Sequence, residues 1–243
     1  MSAAKAKEDK STLGGAYLAA VINAAMGVII AFCVLAGTTP QVYSPTPKKT
    51  GGPPPPLPAG VWYWAGATSG GDWHAKEAAL LAGTSPLGLA DEDLNGWGPT
   101  IFKAAPPPAA APGAAGAAAA ASPPSFQAVP GAPNFRSYFA KDAGAGYFQV
   151  AMPFNVTVLG FNVAVLYQAR GTFVSGAQGP EFVPTYSSLG SARVPTTGGL
   201  TTYLFNKLTA EFVPADAVKK YAGAWAKYNS ATLQDGQLVL AHQ

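Results

Sequence analysis

Catalysis or metal binding needs side chains that donate protons, attack or coordinate, and this chain offers few of them. Its only two histidines are His74 and His242, and neither stands at ligand spacing from the other or from a carboxylate pair. His74 follows Trp73 in a segment patterned as a helix and is expected on a solvated face, while the penultimate His242 is expected to be loosely held. The densest acidic run is Asp91-Glu92-Asp93. Adjacent acids suit a hard cation, yet no histidine lies nearby, and a helix start already favours negative charge through capping and the macrodipole. We read these three acids as helix-start residues. The single cysteine, Cys33, sits in an apolar run, which leaves the rest of the chain without a thiol nucleophile or an internal disulfide. No nucleophile elbow, phosphate loop or dinucleotide fingerprint follows a strand pattern. No catalytic, cofactor-binding or metal-ligating residue is assigned, and the expectation is a protein that is not an enzyme.

The elements that would position any site begin with Leu13 to Ala36, a stretch free of charge. At ~1.5 Å per residue such a helix is roughly 36 Å long and spans a bilayer with some tilt. A cleaved signal peptide competes with this reading, but its apolar region is normally ~7–15 residues, and Val34-Leu35-Ala36 is a weak cleavage site. Lys5, Lys7 and Lys10 precede the span, and no Lys or Arg follows until Lys48. Basic flanks stay inside, so residues 1–12 are expected in the cytoplasm, 13–37 in the membrane and the remainder outside. Within the span, Gly15, Ala19, Asn23, Gly27 and Ala31 recur every four residues. Small residues at that spacing let a second helix approach closely, and an amide can hydrogen-bond across. They form the candidate transmembrane helix–helix contact.

Residues 38–60 hold Pro40, Pro45, Pro47, Pro53 to Pro56 and Pro58, the composition of a stiff stalk. Residues 61–243 are expected to form one α+β domain, an antiparallel sheet packed against a few amphipathic helices. Asp72 caps a helix ended by Gly83, Leu87 and Leu89 alternate as a short strand, and Asp91 caps a helix that points Leu94 and Trp97 inward. An Ala/Pro-rich insertion follows over 104–133, with Ala104 to Pro124 its low-complexity part. Phe148, Val150, Met152, Phe154, Val156 and Val158 then share one strand face. Past Gly160 the parity flips to Phe161, Val163, Val165, Tyr167 and Ala169. Leu200, Tyr203, Leu204, Leu208 and Phe212 mark one closing helix. Val218, Tyr221, Ala222, Trp225 and Tyr228 mark another, and a hairpin turns at Asp235-Gly236. The helices near Ala75, Leu94, Leu204 and Trp225 are expected against the sheet.

The runs from Trp73 to Gly83 and from Leu87 through Asp93-Leu94-Asn95-Gly96-Trp97 carry a resemblance, as do Arg170-Gly171-Thr172-Phe173, Phe182-Val183-Pro184 and Leu189-Gly190-Ser191. They resemble uncharacterised single-pass bacterial envelope proteins with an "ELNxW"-type helix, and more loosely the YpmS-like membrane-anchored family. Here aspartate replaces the glutamate of that motif. The resemblance implies a bacterial inner (cytoplasmic) membrane protein with a periplasmic domain, and it brings no catalytic residues.

With Lys and Arg at 15, Asp and Glu at 12 and a net charge of +3, the chain lacks the basic excess of a nucleic-acid binder. The expected partners are the lipid bilayer and other transmembrane helices. The expected role is an extracytoplasmic accessory or scaffolding protein, a subunit of a larger membrane complex. The alternative is a carrier of an apolar ligand such as a lipid, enclosed by Phe148, Val150, Phe154, Phe161, Val163 and Tyr167 beneath the two closing helices.

Overall fold

Leu13 to Ala36 forms one uninterrupted helix, α1. Its length and hydropathy suffice to cross a membrane, and among the described residues nothing buries Tyr17–Ala36, of which only Ala36 is partly covered. The computed structural model describes residues 13–43, 60–67, 69–102, 125–128, 134–140, 145–158 and 161–242. The N-terminal segment 1–12, the proline cluster and Ala104 to Pro124 lie outside the described residues, as does the parity flip at Gly160.

The chain meets its domain earlier than the composition of 38–60 implies. Strand β1 (Gln41–Tyr43) pairs in parallel with β2 (Trp62–Trp64), register Tyr43 to Trp64. Residues 44–59, which hold most of the prolines expected to form a stalk, join these two strands in sequence and lie outside the described residues. The end of α1 is itself tied to the domain, because Ser191 donates its N–H to the carbonyls of Leu35 (2.8 Å) and Thr38 (3.0 Å).

The main antiparallel sheet contains β4 (Ser125–Ala128), β5 (Asn134–Ala140), β6 (Ala145–Val158), β7 (Phe161–Gly176), β8 (Gly179–Leu189) and β9 (Ala192–Val194). The order is β4-β6-β7-β8-β9, with β5 also on β6. β4 falls inside the segment expected to be an insertion and pairs Phe126 with Val156 of β6. The alternation reads correctly on the inner face, where Phe148, Val150, Met152 and Phe154 of β6 and Val165, Tyr167 and Ala169 of β7 are buried. Val163 is exposed, at the sheet end that Gly37 approaches. Between Arg170 and Gly171 the register shifts. A Cβ on Gly171 would stand 2.0 Å from the Val183 carbonyl oxygen, so the bulge admits only glycine.

The opposite face of the sheet is also covered. Gln149 and Gln168 are fully buried beneath β2. The Gln149 amide donates to the Trp64 carbonyl (3.0 Å) and accepts its N–H (3.3 Å), while Gln168 donates to the Trp62 carbonyl (2.9 Å). Arg170 lies 3.8 Å from the Trp62 ring centre, a close cation–π contact.

Two further layers complete the fold. β3 (Leu87–Leu89), β10 (Ser230–Gln234) and β11 (Gln237–Ala241) form a second antiparallel sheet, order β10-β11-β3. Asp235 and Gly236 both take positive φ (48° and 76°) in its two-residue turn. Helices α2 (Trp73–Ala82), α3 (Asp91–Ile101), α4 (Leu200–Phe212) and α5 (Ala215–Trp225) supply the helical layer. Asp72 accepts from Ala75 N–H, and Gly83 ends α2 in the left-handed region. Phe212 packs on Phe154, and Phe205 on Phe182, with ring centres 5.9 and 4.9 Å apart. The helical stripes are narrower than their spacing implies. Leu94 is buried, and Leu204 and Trp225 pack partly against the core, but Ala75, Leu200, Tyr203, Val218 and Ala222 are exposed.

Candidate apolar-ligand site

The helix that opens with three acids is a bracket on which the domain is hung. Its N-cap is Ala90, one residue earlier than the aspartate expected there. Asp93 accepts the N–H groups of Ala90 and Asp72, both at 3.0 Å, so one carboxylate closes the start of α3 and holds the approach to α2. Asp91 points into the interior. It accepts the N–H (2.8 Å) and hydroxyl (3.0 Å) of Ser137 and pairs with Arg136 at 2.6 Å. Burial pushes its carboxyl above the usual aspartate range, against the pull of Ser137 and Arg136. Asn95 donates to the carbonyls of Ala67 (2.8 Å) and Phe135 (3.0 Å) and accepts Phe135 N–H (2.7 Å). Asp91, Asp93 and Asn95 thus fix the angle of α3 on β5, with the oxygens of Asp93 and Asn95 serving backbone and those of Asp91 serving Ser137 and Arg136.

That angle decides what the rest of α3 does. Leu94, Trp97 and Ile101 project over the inner face of the main sheet without closing on it. A cavity of about 220 Å³ remains between α3, α4, α5 and the sheet, its walls including Trp97, Phe102, Phe148, Phe173, Phe205 and Trp225. It is larger than the ~150 Å³ apolar cavity that accepts benzene, and among the described residues no polar atom contributes to its exposed lining. Trp97, Thr209 and Trp225 also wall an open groove of about 660 Å³ that runs past Val213, Val218 and Tyr221. The exposure of Val218 and Ala222 is explained by this groove: α5 is apolar toward an open space as well as toward the core.

The groups at this mouth are fixed in place. Trp225 Nε1 donates to the Pro180 carbonyl (2.7 Å), and Trp97 Nε1 to Tyr221 Oη (3.3 Å), the two rings meeting edge-on. Tyr221 in turn donates to Glu77, which Lys220 reaches at 2.6 Å. Lys220 and Tyr221 hold the Glu77 carboxyl below its ordinary range. The Thr209 hydroxyl is buried without a hydrogen-bond partner.

Of the residues expected to enclose a ligand, Phe148 and Val150 line the cavity. Phe154 and Tyr167 are buried in the core away from its walls, Val163 is at an exposed sheet end, and the Phe161 side chain lies outside the described residues. Sequence reading missed Phe173, Phe182, Phe205 and Thr209, for which recurring Phe at facing strand and helix positions was the available signal. Trp97, expected to point inward, packs half-buried against the core and also walls the opening. Ala19, Asn23, Gly27 and Ala31 are exposed along α1, and Gly15 lies in its first turns. His74 is exposed beside Trp73, and His242 is held by its N–H to Ser85 (3.0 Å) and its ring on Tyr228. Compared with family models, curated proteins and solved structures, the chain matches none.

Proposed function

We propose that this protein is a single-pass bacterial inner-membrane protein whose periplasmic domain binds an apolar ligand of lipid type, without catalysis. The observation that carries the reading is the apolar cavity of about 220 Å³ opening beside a groove, between the helices and the inner face of the main sheet. A void of that size loses dispersion contacts along its whole lining, and an alkyl chain restores them. The tie between Leu35 and Ser191 supports a retained anchor, since cleavage after Ala36 removes an acceptor that the β8–β9 turn uses. It also supports a binding domain held close to the bilayer surface, where such ligands reside. Solvent extraction of the protein purified from membranes, followed by lipid mass spectrometry, tests the reading. About one lipid per chain, enriched over the bulk membrane extract, is expected; an extract matching the bulk membrane in composition counts against it.

A second reading, an accessory subunit of a larger membrane complex, is favoured by α1. Apart from its last turn, which meets the β8–β9 hairpin, α1 is exposed among the described residues, and Ala19, Asn23, Gly27 and Ala31 lie along that exposed length. Cross-linking in membranes tests it: Gly27→Leu should weaken association strongly, Asn23→Leu less, and Ile29→Leu not at all. Equal association of all three variants counts against a helix partner.

A further inference from the structure

Resting on the lipid-binding reading, we infer that the Val213–Val218 end of the groove lies on the bilayer that α1 enters, so that the ligand passes between leaflet and cavity without crossing water. Val163 alternates on β7 with Val165 and Tyr167 of the inner face, and a Cβ on Gly37, just past α1, would stand 3.4 Å from its Cγ1. Gly190 donates its N–H to the Leu166 carbonyl (2.7 Å), and Ser191 beside it donates to Leu35. The chain therefore leaves α1 at the Val163–Leu166 end of the sheet, at the margin of the face that α4 and α5 cover. The groove reaches the same end. Val165 pairs with Phe154, and Phe212, the last residue of α4, packs on Phe154. Phe205, earlier in α4, packs on Phe182 toward the opposite end. The α4–α5 turn at Val213 and Pro214 thus stands where α1 leaves, with Val218 one turn into α5. From there α5 runs back to Trp225, which donates to the Pro180 carbonyl, and Gln178 lines the far end of the groove. Val213, Val218 and Ala222 line the groove, and Val218 is 54% exposed. Exposed apolar surface of this kind marks a protein or membrane contact, and the span leaving beside it supplies the membrane. Glu211, Asp216 and Lys219 flank the turn and are exposed. Their charges keep the contact at headgroup depth, with the turn resting on the bilayer and outside its hydrocarbon core.

The test uses the full chain with Cys33→Ser, delipidated and returned to vesicles of phosphatidylethanolamine and phosphatidylglycerol that carry a nickel-chelating lipid. A spin label is attached through Val218→Cys or, as the distal control, through Ala177→Cys in the β7–β8 turn, roughly 40 Å along β7 from Val163 at ~3.3 Å per residue. Surface nickel should enhance relaxation of the label at position 218 several-fold more than at position 177, each measured against vesicles without nickel. Val218→Glu, a change at an exposed position, should take up several-fold less lipid from the same vesicles, read by native mass spectrometry, at an unchanged melting temperature. Equal relaxation at the two positions overturns the placement of the groove on the bilayer. Uptake by Val218→Glu equal to that of the wild type overturns entry at this end. In both cases a lipid adduct on the wild type leaves lipid binding standing. A wild type that takes up no lipid overturns the lipid-binding reading and, with it, the passage of ligand.

Discussion

The backbone N–H of Ser191 donates to the Leu35 carbonyl 2.8 Å away, joining the last turn of α1 to the β8–β9 hairpin. Gly190 makes that approach possible. Its φ is +52°, and a Cβ there would stand 2.2 Å from the Ala36 carbonyl oxygen. Gly190→Ala should therefore combine left-handed strain, about 1–3 kcal/mol, with loss of the α1 contact. Gly236→Ala is the control, since Gly236 also has positive φ (+76°) but nothing within 4 Å of its added Cβ. In chemical denaturation Gly190→Ala should cost clearly more than Gly236→Ala; equal costs would mean that α1 is not docked on the hairpin.

Deleting Ala104 to Pro124 should leave the domain folded. The segment offers nothing larger than proline to a core, and shortening a loop changes closure entropy by only about 0.6 kcal/mol per halving. A melting temperature that collapses on deletion would assign the segment a packing role.

Asn95 holds backbone groups from two separate segments, Ala67 and Phe135, from a buried position. Asn95→Leu strands an N–H and leaves two carbonyls short of a donor, each worth about 1–3 kcal/mol when buried. Urea denaturation should show a loss of several kcal/mol. A loss below about 1 kcal/mol would mean that water replaces the amide.

These contacts explain which parts of the fold were legible. Alternation in β6 and β7 identified the inner face correctly, because hydrophobic burial acts position by position. It could not show that Gln149 and Gln168 are buried too, since their burial depends on the backbone of Trp62 and Trp64 arriving from far along the chain. Composition marks 38–60 as stiff but does not show where its two ends lie, and the pairing of β1 with β2 is a non-local fact. The candidate site was half legible for the same reason. Phe148 and Val150 announce an apolar face, but a cavity is a failure of α3, α4 and α5 to close over it, set by the Asp91, Asp93 and Asn95 bracket.

Acid should weaken the α2–α5 contact. Hydrogen bonds from Lys220 and Tyr221 lower the Glu77 pKa from its ordinary value of 4.5, with burial opposing them. A lowered carboxylate pKa contributes stability that is present above the unfolded value and lost as pH falls through the folded one. The stability gap between the wild type and Glu77→Gln should therefore narrow as pH falls below about 5. Asp91, raised by burial, changes in the opposite sense but equally in both proteins and cancels from the difference. A gap independent of pH would mean that the Glu77 contact contributes nothing.

Trp97→Ala should cost less than the ~3–5 kcal/mol of a fully buried tryptophan, because one side of Trp97 faces the groove. The same change removes a wall of the cavity, so lipid retention should fall more than stability does. Thermal melting and retention measured on one preparation separate the two.

Lipid occupancy of the cavity is most directly tested by native mass spectrometry of the wild type beside Val150→Phe, both released from the membranes in which they were made. Val150 lines the cavity on β6, and phenylalanine there takes up part of it from the sheet side. The wild type should carry one lipid-sized adduct, and Val150→Phe should carry clearly less of it, with a melting temperature no lower than that of the emptied wild type. A bare wild type, or an adduct that persists undiminished in folded Val150→Phe, would contradict a ligand in this cavity.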